Sequence, residues 1–516
     1  LIQKKSVALL SLINLSSALL GIGSSVVMAR IYGVSTDVEV YFAATSLFFM
    51  ITSLTQTGQL SEIILPIYHR YKENVSQQAA NAVFSVVLSW MGMVAIGISL
   101  LAFLFSGLLY QILVPGFESS KLELGTSLFA IISPLIAVEI IKSLLVTLVN
   151  AEKVFAKIEL ITLANQAVAI ACILTFHQQF GIYAALSGLL LGELISFGMA
   201  FYFLQRTPFR YQFRLKTPGF ELKEVVSKMS FTFVYVLATQ FWSFGFNAAL
   251  SFLPQGYFAV FKYATLIFVK LNGLVLRPVT IVFFTQFSTL LQQGSTKLKH
   301  LVQQANRLTF LLAISAGAFM ISSSNPLLNV LWKNGKFEST YIDITFYTLI
   351  VMISLVFFNG LGLIFRKMCM SADLVKTQYG YYIILQIVFG IFTYFIGQTL
   401  GYWPLVLLFF LNNVSIAIIP IIVFYCYKKE LFTLYHREFM TKAIVFAIAL
   451  LASAFSIHFG LGYFWPTDTM FENLLAGSVN TFILSMILLL LMRWFRFDEL
   501  QLLSMVLKKL KLIKSA

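Results

Sequence analysis

Three basic residues, Lys262, Lys270 and Arg277, recur at intervals of eight and seven inside a run, Tyr257 to Phe284, that carries no other charge. At 100° per residue these intervals keep the three side chains within roughly 80° of one another, so a helix over the run bears one cationic stripe. An ionisable group at bilayer depth costs about 2.5 to 3.5 kcal/mol on insertion scales and is met by a cavity or a partner. Fixed positive charge along a water-filled cavity suits an anionic head group such as a pyrophosphate, which needs charged donors to leave the membrane surface. In the competing reading Lys262 and Arg277, toward opposite ends of the run, extend their stems to the two interfaces. Lys270 lies near the centre and has no such exit.

Other polar groups interrupt apolar runs. Glu139 and Lys142 stand three residues apart, so on a helix they share a face and neutralise each other, and an internal ion pair is favoured over a coupling role. Glu62 and Glu193 have no partner nearby in sequence, which leaves them to pair with the basic stripe or to bind a coupling proton or cation. Gln240, Asn247, Asn272 and Gly273 either line the same cavity or serve helix packing. The histidines His69, His177, His300, His436 and His458 show no ligand spacing, so no metal is expected. Cys172, Cys369 and Cys426 are too few and too dispersed for a disulfide framework. The sequon Asn74-Val75-Ser76 falls in a connection assigned to the cytoplasm and is read as chance. No phosphate-gripping loop, nucleophile elbow or nucleotide-binding domain is present, which argues against direct ATP drive and against any cofactor beyond a possible coupling cation.

The elements that must carry these groups follow from composition. Of 516 residues 59% are hydrophobic and 11% charged, against roughly a quarter charged in soluble domains. A bilayer needs about 20 apolar residues per helix, and such runs recur along the whole chain. They predict spans at Ser6 to Met28, Tyr41 to Ile67, Ala82 to Tyr110, Leu124 to Val149, Ile158 to Phe176 and Ile182 to Leu204. After a polar connection with Pro208, Pro218 and six nearby basic residues, spans follow at Val225 to Leu253, Tyr257 to Phe284, Leu308 to Leu331, Tyr341 to Phe365, Tyr379 to Leu400 and Trp403 to Tyr425. Ala443 to Tyr463 and Asn473 to Met492 complete about fourteen. The first run follows Lys4 and Lys5 like a signal peptide, but it is too long and lacks a clean cleavage site, and it is read as the first span.

The expectation is an all-α integral membrane protein with an N-lobe over 1–204, a cytoplasmic linker over 205–224, a C-lobe over 225–426, two further helices over 427–492, and an interfacial amphipathic tail over 493–516. The net charge of +15 has no polar domain to gather on, which excludes a nucleic-acid module. Topology accounts for it instead. With the N-terminus inside, 28 of the 36 basic residues fall in or beside the inner connections and termini, four (Arg30, Lys121, Lys333 and Lys336) fall outside, and four lie within spans. That asymmetry places both termini in the cytoplasm.

Several stretches then resemble the MurJ/MviN family of lipid-linked oligosaccharide flippases, within the MOP exporter superfamily. Ala29-Arg30-Ile31-Tyr32-Gly33, then Glu39, Phe42 and Ala43, then Gly58-Gln59-Leu60-Ser61 and Pro66 resemble its opening. Val114-Pro115-Gly116-Phe117, Asn150-Ala151 with Phe155, Asn334-Gly335-Lys336-Phe337, Gly360-Leu361-Gly362-Leu363 and Lys376-Thr377 follow in order over most of the chain. The resemblance implies two six-helix lobes around a cavity that opens alternately to each side, with the last two helices offering a groove for a lipid tail. It implies an undecaprenyl-pyrophosphate-linked saccharide as cargo, membrane lipids as surroundings, an ion gradient or membrane potential as drive, a bacterial inner membrane as location, and a monomer. Arg30 and the acidic position Glu39 join the expected substrate-binding set of Lys270, Lys262, Arg277, Glu62, Asn247 and Asn272, while Glu193, Glu139 and Lys142 are expected to couple or pair internally.

The chain departs from the family where cavity charges are expected. Its first helix reads Ser17-Ala18-Leu19-Leu20-Gly21-Ile22-Gly23-Ser24-Ser25, without the family's three charges there; Thr52 and Ser53 replace an arginine pair, and Leu266 and Val269 replace an arginine and a glutamate. These losses point away from lipid II and toward an exopolysaccharide or surface-glycan intermediate. Two other classes compete. A cation-coupled exporter of the MATE kind shares the two-lobe plan but usually stops near twelve helices and favours acidic cavities. A glycan polymerase or ligase usually carries a large outer loop with catalytic residues, whereas the longest outer loop here, Phe464 to Glu472, offers Asp468 and Glu472. No enzyme activity is expected.

Overall fold

The computed structural model describes residues 2–495 apart from 54–56, 153–154, 293–295, 334, 435–436 and 465–468, together with 497. Within those, the side chains of 2–15, 18, 57–63, 155–157, 224, 228–229, 277–292, 296–297, 324, 437 and 461–464 fall outside the description. The amphipathic tail expected over 493–516 lies almost wholly outside it.

The described chain is almost all helix. The first half holds α1 (Ile2–Tyr32), α2 (Thr36–Thr52), α3 (Thr57–Asn74), α4 (Gln77–Leu104), α5 (Ser106–Leu113), α6 (Ser119–Ile132), α7 (Leu135–Ala151), α8 (Phe155–Phe180) and α9 (Tyr183–Gln205). The second holds α10 (Leu222–Ser251), α11 (Tyr257–Gln292), α12 (Thr296–Leu328), α13 (Ser339–Ser371), α14 (Val375–Phe395), α15 (Tyr402–Tyr427), α16 (Arg437–Phe464) and α17 (Met470–Trp494). No strand is formed among the described residues. Among them, nine helices are long and apolar enough to cross a bilayer, ten if the bent pair α6 and α7 counts as one. The other four expected spans correspond to α1, to α2 with α3, to α10 and to α14. This is an all-α integral membrane protein.

Spans 3 and 4 are broken rather than continuous. The third passes from α4 to α5 at Phe105. The fourth bends by 42° between α6 and α7, where Pro134 has no N–H to donate and cannot continue the ladder. The Ala130 carbonyl, which would have received that N–H, accepts the Ser133 hydroxyl instead at 2.9 Å. A polar backbone atom has to be satisfied within the protein at this depth, and a serine beside a proline does so.

Two compact units emerge. One takes residues 1–263 with 379–405, and the other takes 264–378 with 406–516. In the first, Ile64, Tyr68, Phe84, Leu144, Leu148 and Leu204 belong to one buried core joining α3, α4, α7 and α9. In the second, Leu298, Phe365, Met368 and Phe424 join α12, α13 and α15, while Leu311, Phe446, Leu450 and Leu484 pack α16 and α17 on α12. Large apolar side chains such as Leu100, Leu104, Leu108, Ile448 and Leu490 remain exposed, as expected of faces whose solvent is lipid.

Candidate functional site: membrane-embedded charges

Within the first unit the charges sort by depth. Lys142, in the middle of α7, forms ion pairs with both Glu139 and Glu193. Glu193 on α9, 6% exposed, also accepts the Asn165 amide from α8 at 2.9 Å. The close approach of α8 and α9 here requires Gly192, where a Cβ would lie 3.0 Å from Asn165 Oδ1. The Glu139 and Lys142 pair expected from spacing is present, and Glu193 turns to the same lysine rather than to the basic stripe. Asn165 is a partner that sequence reasoning misses; the small residues Gly188 and Gly192, one turn apart on α9, are the available signal for a tight α8 contact.

A second set closes one end of the unit. Glu39, 1% exposed at the start of α2, accepts Lys121 Nζ at 2.8 Å on Oε2 and the Gly256 backbone N–H at 2.7 Å on Oε1. Nearby, the Gly116 N–H donates to Ser251 Oγ at 2.9 Å, and a Cβ on Gly116 would stand 2.7 Å from the Ser251 carbonyl oxygen, so only glycine fits. Tyr263 Oη donates to the Gly33 carbonyl at 3.1 Å. Arg30 lies partly buried at the last turn of α1. Arg30, Gly33, Glu39, Gly116, Lys121 and Gly256 belong to connections expected on the outer side, while Ser251 and Tyr263 lie within the expected spans on either side of Gly256. At the other end Lys72 pairs with Glu152 at 2.7 Å, Tyr68 donates to Glu152 at 3.0 Å, and Tyr71 bonds the Gly219 carbonyl; these belong to connections expected on the inner side. Ends that the basic-residue alternation assigns to one side therefore meet one another.

Lys262, also in the first unit, donates to Ser46 Oγ at 2.9 Å and to Asn247 Oδ1 at 2.6 Å and stands 5.2 Å from the Phe258 ring centroid. Asn247 is 3% exposed, and its amide donates to the Ser243 carbonyl at 2.7 Å. The lysine thus has neutral partners and no carboxylate among the described residues. Nothing in the sequence distinguishes Ser46 from other serines in apolar runs, and sequence reasoning misses it too.

In the second unit Lys270 is half-buried on α11 with no hydrogen bond or ion pair among the described residues. Two residues on, Asn272 Oδ1 faces the Asn359 amide of α13 at 3.5 Å, too long to hold either side chain tightly. The side chains of Arg277 and Glu62 lie outside the described residues. α16 and α17 enclose an open cleft lined by Ala452, Ser453, Ser456, Gly460, Ile483 and Ile487. No grouping of three or more potential metal ligands occurs among the described residues.

Comparison with known proteins bears on what these charges serve. The sequence profile described as lipid II flippase MurJ matches residues 28–476. A probable lipid II flippase MurJ of Borreliella burgdorferi is 22% identical over 484 residues, covering 91% of this chain and 92% of that protein. One from Buchnera aphidicola subsp. Acyrthosiphon pisum is 23% identical over 336 residues, 63% of this chain and 65% of that relative, so the match spans just under two thirds of its length. Among solved structures, a lipid II flippase MurJ in an inward closed conformation superposes with a TM-score of 0.76 at 19% identity, covering 93% of this chain and 98% of that one. An inward-facing MATE multidrug transporter of the MOP superfamily gives 0.65 at 15% identity, covering 82% of this chain and 98% of its own. At such identities the structural likeness establishes the fold alone.

Proposed function

The chain belongs to the lipid II flippase MurJ family, and from that premise we propose that it carries a lipid-linked saccharide across the bacterial inner membrane by alternating access, leaving it chemically unchanged. The cargo is an undecaprenyl-pyrophosphate-linked glycan, either lipid II or an exopolysaccharide or surface-glycan intermediate. Residues 1–204 act as one lobe and 225–426 as the other, joined by 205–224 on the cytoplasmic side with both termini, and 427–492 form the lipid-facing pair. The protein works as a monomer.

The single observation that carries the anionic cargo is Lys270: a cation in a membrane helix, half-buried, with no hydrogen bond or ion pair among the described residues. A half-buried ammonium without a counter-ion in a membrane helix is costly unless something brings the charge to it, and a pyrophosphate does so during transport. Lys262, held by neutral partners within the first unit, has one N–H left for an anion. Arg30 and Glu39 in the first unit and Asn272 in the second are candidate substrate contacts, as are Arg277 and Glu62, whose side chains lie outside the described residues, and the α16 and α17 cleft takes the lipid tail. The trio of Glu139, Lys142 and Glu193 pairs internally and serves the packing of α7 on α9 rather than the cargo.

Purified protein in liposomes, supplied with lipid II and with undecaprenyl-pyrophosphate-linked glycans, tests this directly. Lys270→Gln removes a charge-assisted contact worth about 1.5 to 3 kcal/mol, so transport of the true cargo falls roughly 10- to 100-fold at subsaturating cargo, and Lys270→Arg retains most of it. Undiminished transport of every lipid-linked glycan in Lys270→Gln overturns the assignment. Export of organic cations by the wild type replaces it with the MATE-like reading.

A further inference from the structure

The stretch from Arg206 to Lys216 lies within the connection between α9 and α10. It carries Arg206, Arg210, Arg214 and Lys216, with no acidic residue between Gln205 and Phe220. From Phe209 onward, apolar Phe209, Tyr211, Phe213 and Leu215 alternate with polar Arg210, Gln212, Arg214 and Lys216. A period of two gives an extended chain two distinct faces.

The structure forms no helix here. The stretch runs extended along the beginning of α4, on a polar row made by Asn81, Ser85 and Ser89 at intervals of four. The Asn81 amide donates to the Pro208 carbonyl at 3.2 Å. Ser85 Oγ accepts the Gln212 N–H at 3.3 Å, and Ser89 Oγ accepts the Arg214 N–H at 3.4 Å and lies 3.0 Å from Tyr211 Oη. Trp90 Nε1 donates to the Leu215 carbonyl at 3.1 Å. Phe209 is buried edge-on to Phe84, with ring centroids 5.5 Å apart. Tyr211, Phe213 and Leu215 stay 48%, 67% and 41% exposed.

The height of this stretch is set by α4 itself. Residues 81–89 of α4 are covered or partly covered, and from Trp90 the helix exposes Met93, Val94, Ile96, Leu100 and Leu101. A tryptophan at the start of a lipid-facing band marks the bilayer interface. At that level sit exposed apolar side chains beside four exposed cations, none of which meets a carboxylate among the described residues. The Arg210 guanidinium donates to the Thr207 and Phe209 carbonyls at 2.8 and 2.7 Å and serves to hold the loop. Exposed Arg206 lies over the Tyr202 ring, 4.4 Å from its centroid, and donates to its hydroxyl, exposed Arg214 donates to the Gln212 side-chain carbonyl, and Lys216 has no hydrogen bond or ion pair among the described residues.

We propose that residues 206–216, docked on α4, form an interfacial ledge that binds the head groups of anionic phospholipids, with Arg206, Arg214 and Lys216 meeting the phosphates and Phe213 and Leu215 entering the acyl boundary. The assignment to the cytoplasmic leaflet rests on the orientation proposed above; the binding does not.

Native mass spectrometry of the full chain in neutral detergent, titrated with phosphatidylglycerol or phosphatidylcholine, reads the ledge directly. Each surface cation is worth about fivefold in affinity for an anionic head group. The wild type therefore retains phosphatidylglycerol in preference to phosphatidylcholine, and the triple variant Arg206→Gln, Arg214→Gln, Lys216→Gln loses that preference by roughly a hundredfold. Unchanged thermal unfolding of the variant in neutral detergent shows that it is folded. If unfolding shifts, Lys216→Gln alone, at a side chain with no hydrogen bond or ion pair among the described residues, must still show its fivefold loss. Equal retention of the two lipids by the wild type, or full retention of phosphatidylglycerol by the variants, overturns the proposal, as does displacement of the lipid by inorganic phosphate at equal concentration. The measurement contains no glycan lipid, so its failure leaves the transport reading standing, and failed flipping leaves the ledge standing.

Discussion

Lys142 and Lys270 are the same residue in the same solvent, each well inside an apolar helix, and their surroundings are opposite. Lys142, on α7 of the first unit, is met by Glu139 from its own helix and Glu193 from α9. Lys270, on α11 of the second, meets no charge among the described residues. The first arrangement ties α7 to α9, and through Glu193 to α8, and leaves little for a ligand to gain. The second keeps a cation unsatisfied inside the membrane, which is tolerable only if a ligand or water compensates it part of the time. Insertion cost alone does not separate structural from functional charges; the neighbours do.

Removing Lys142 provides the largest test of that contrast. Lys142→Met leaves two buried carboxylates facing each other, and breaking a buried pair by deleting one partner costs about 3 to 5 kcal/mol. Thermal unfolding in detergent should fall steeply, and Glu193→Gln in the same chain should restore much of it, because one of the repelling charges is gone. Lys270→Met removes an uncompensated charge, so its unfolding temperature should stay level or rise while transport is lost. If both lysines destabilise alike when replaced, the distinction between them is wrong.

The part of this contrast legible in the sequence is the part carried by short spacing. Glu139 and Lys142 stand one helical turn apart, so the residue order alone predicts their pairing. The apolar runs place the helices, and Glu39 with Lys121, like Lys72 with Glu152, joins connections that the alternation of basic residues puts on one side. Glu193 reaches Lys142 across 51 residues, and periodicity names a helix face without naming the helix opposite. Glu39 is held partly by a backbone N–H at Gly256, a donor every residue but proline possesses and no sequence pattern marks. The break at Pro134 is written in the residue type. The break at Phe105, where α4 gives way to α5, has no such signature.

Glu39 permits a test of intermediate size, at the end of the first unit rather than its middle. Glu39→Gln keeps an acceptor for the Gly256 N–H but removes the ionic bond to Lys121. A hydrogen bond to a charged group contributes about 1.5 to 3 kcal/mol, and the pair is buried, with side chains 2% and 13% exposed. Unfolding in detergent should shift by that amount, less than for Lys142→Met, and Lys121→Gln added to Glu39→Gln should cost little more. Strict additivity of the two substitutions would mean that the charges do not act on each other.

The smallest effect expected concerns the bend that brings Lys142 to Glu193. Because Pro134 withholds an N–H from the Ala130 carbonyl and the Ser133 hydroxyl replaces it, Ser133→Ala should cost about 1 kcal/mol, the usual net worth of one hydrogen bond. In a Pro134→Ala background the backbone N–H returns, α6 and α7 can run straighter, and the same serine substitution should cost almost nothing. The background itself is the sharper probe. If the 42° bend is what aims Glu139 and Lys142 at α9, then Pro134→Ala weakens the Lys142 set, and the penalty for Lys142→Met shrinks in that background. An undiminished penalty would mean that packing of α7 against α4 and α9 sets the angle without the proline, and that the ion pairs follow from the bundle rather than from its kink.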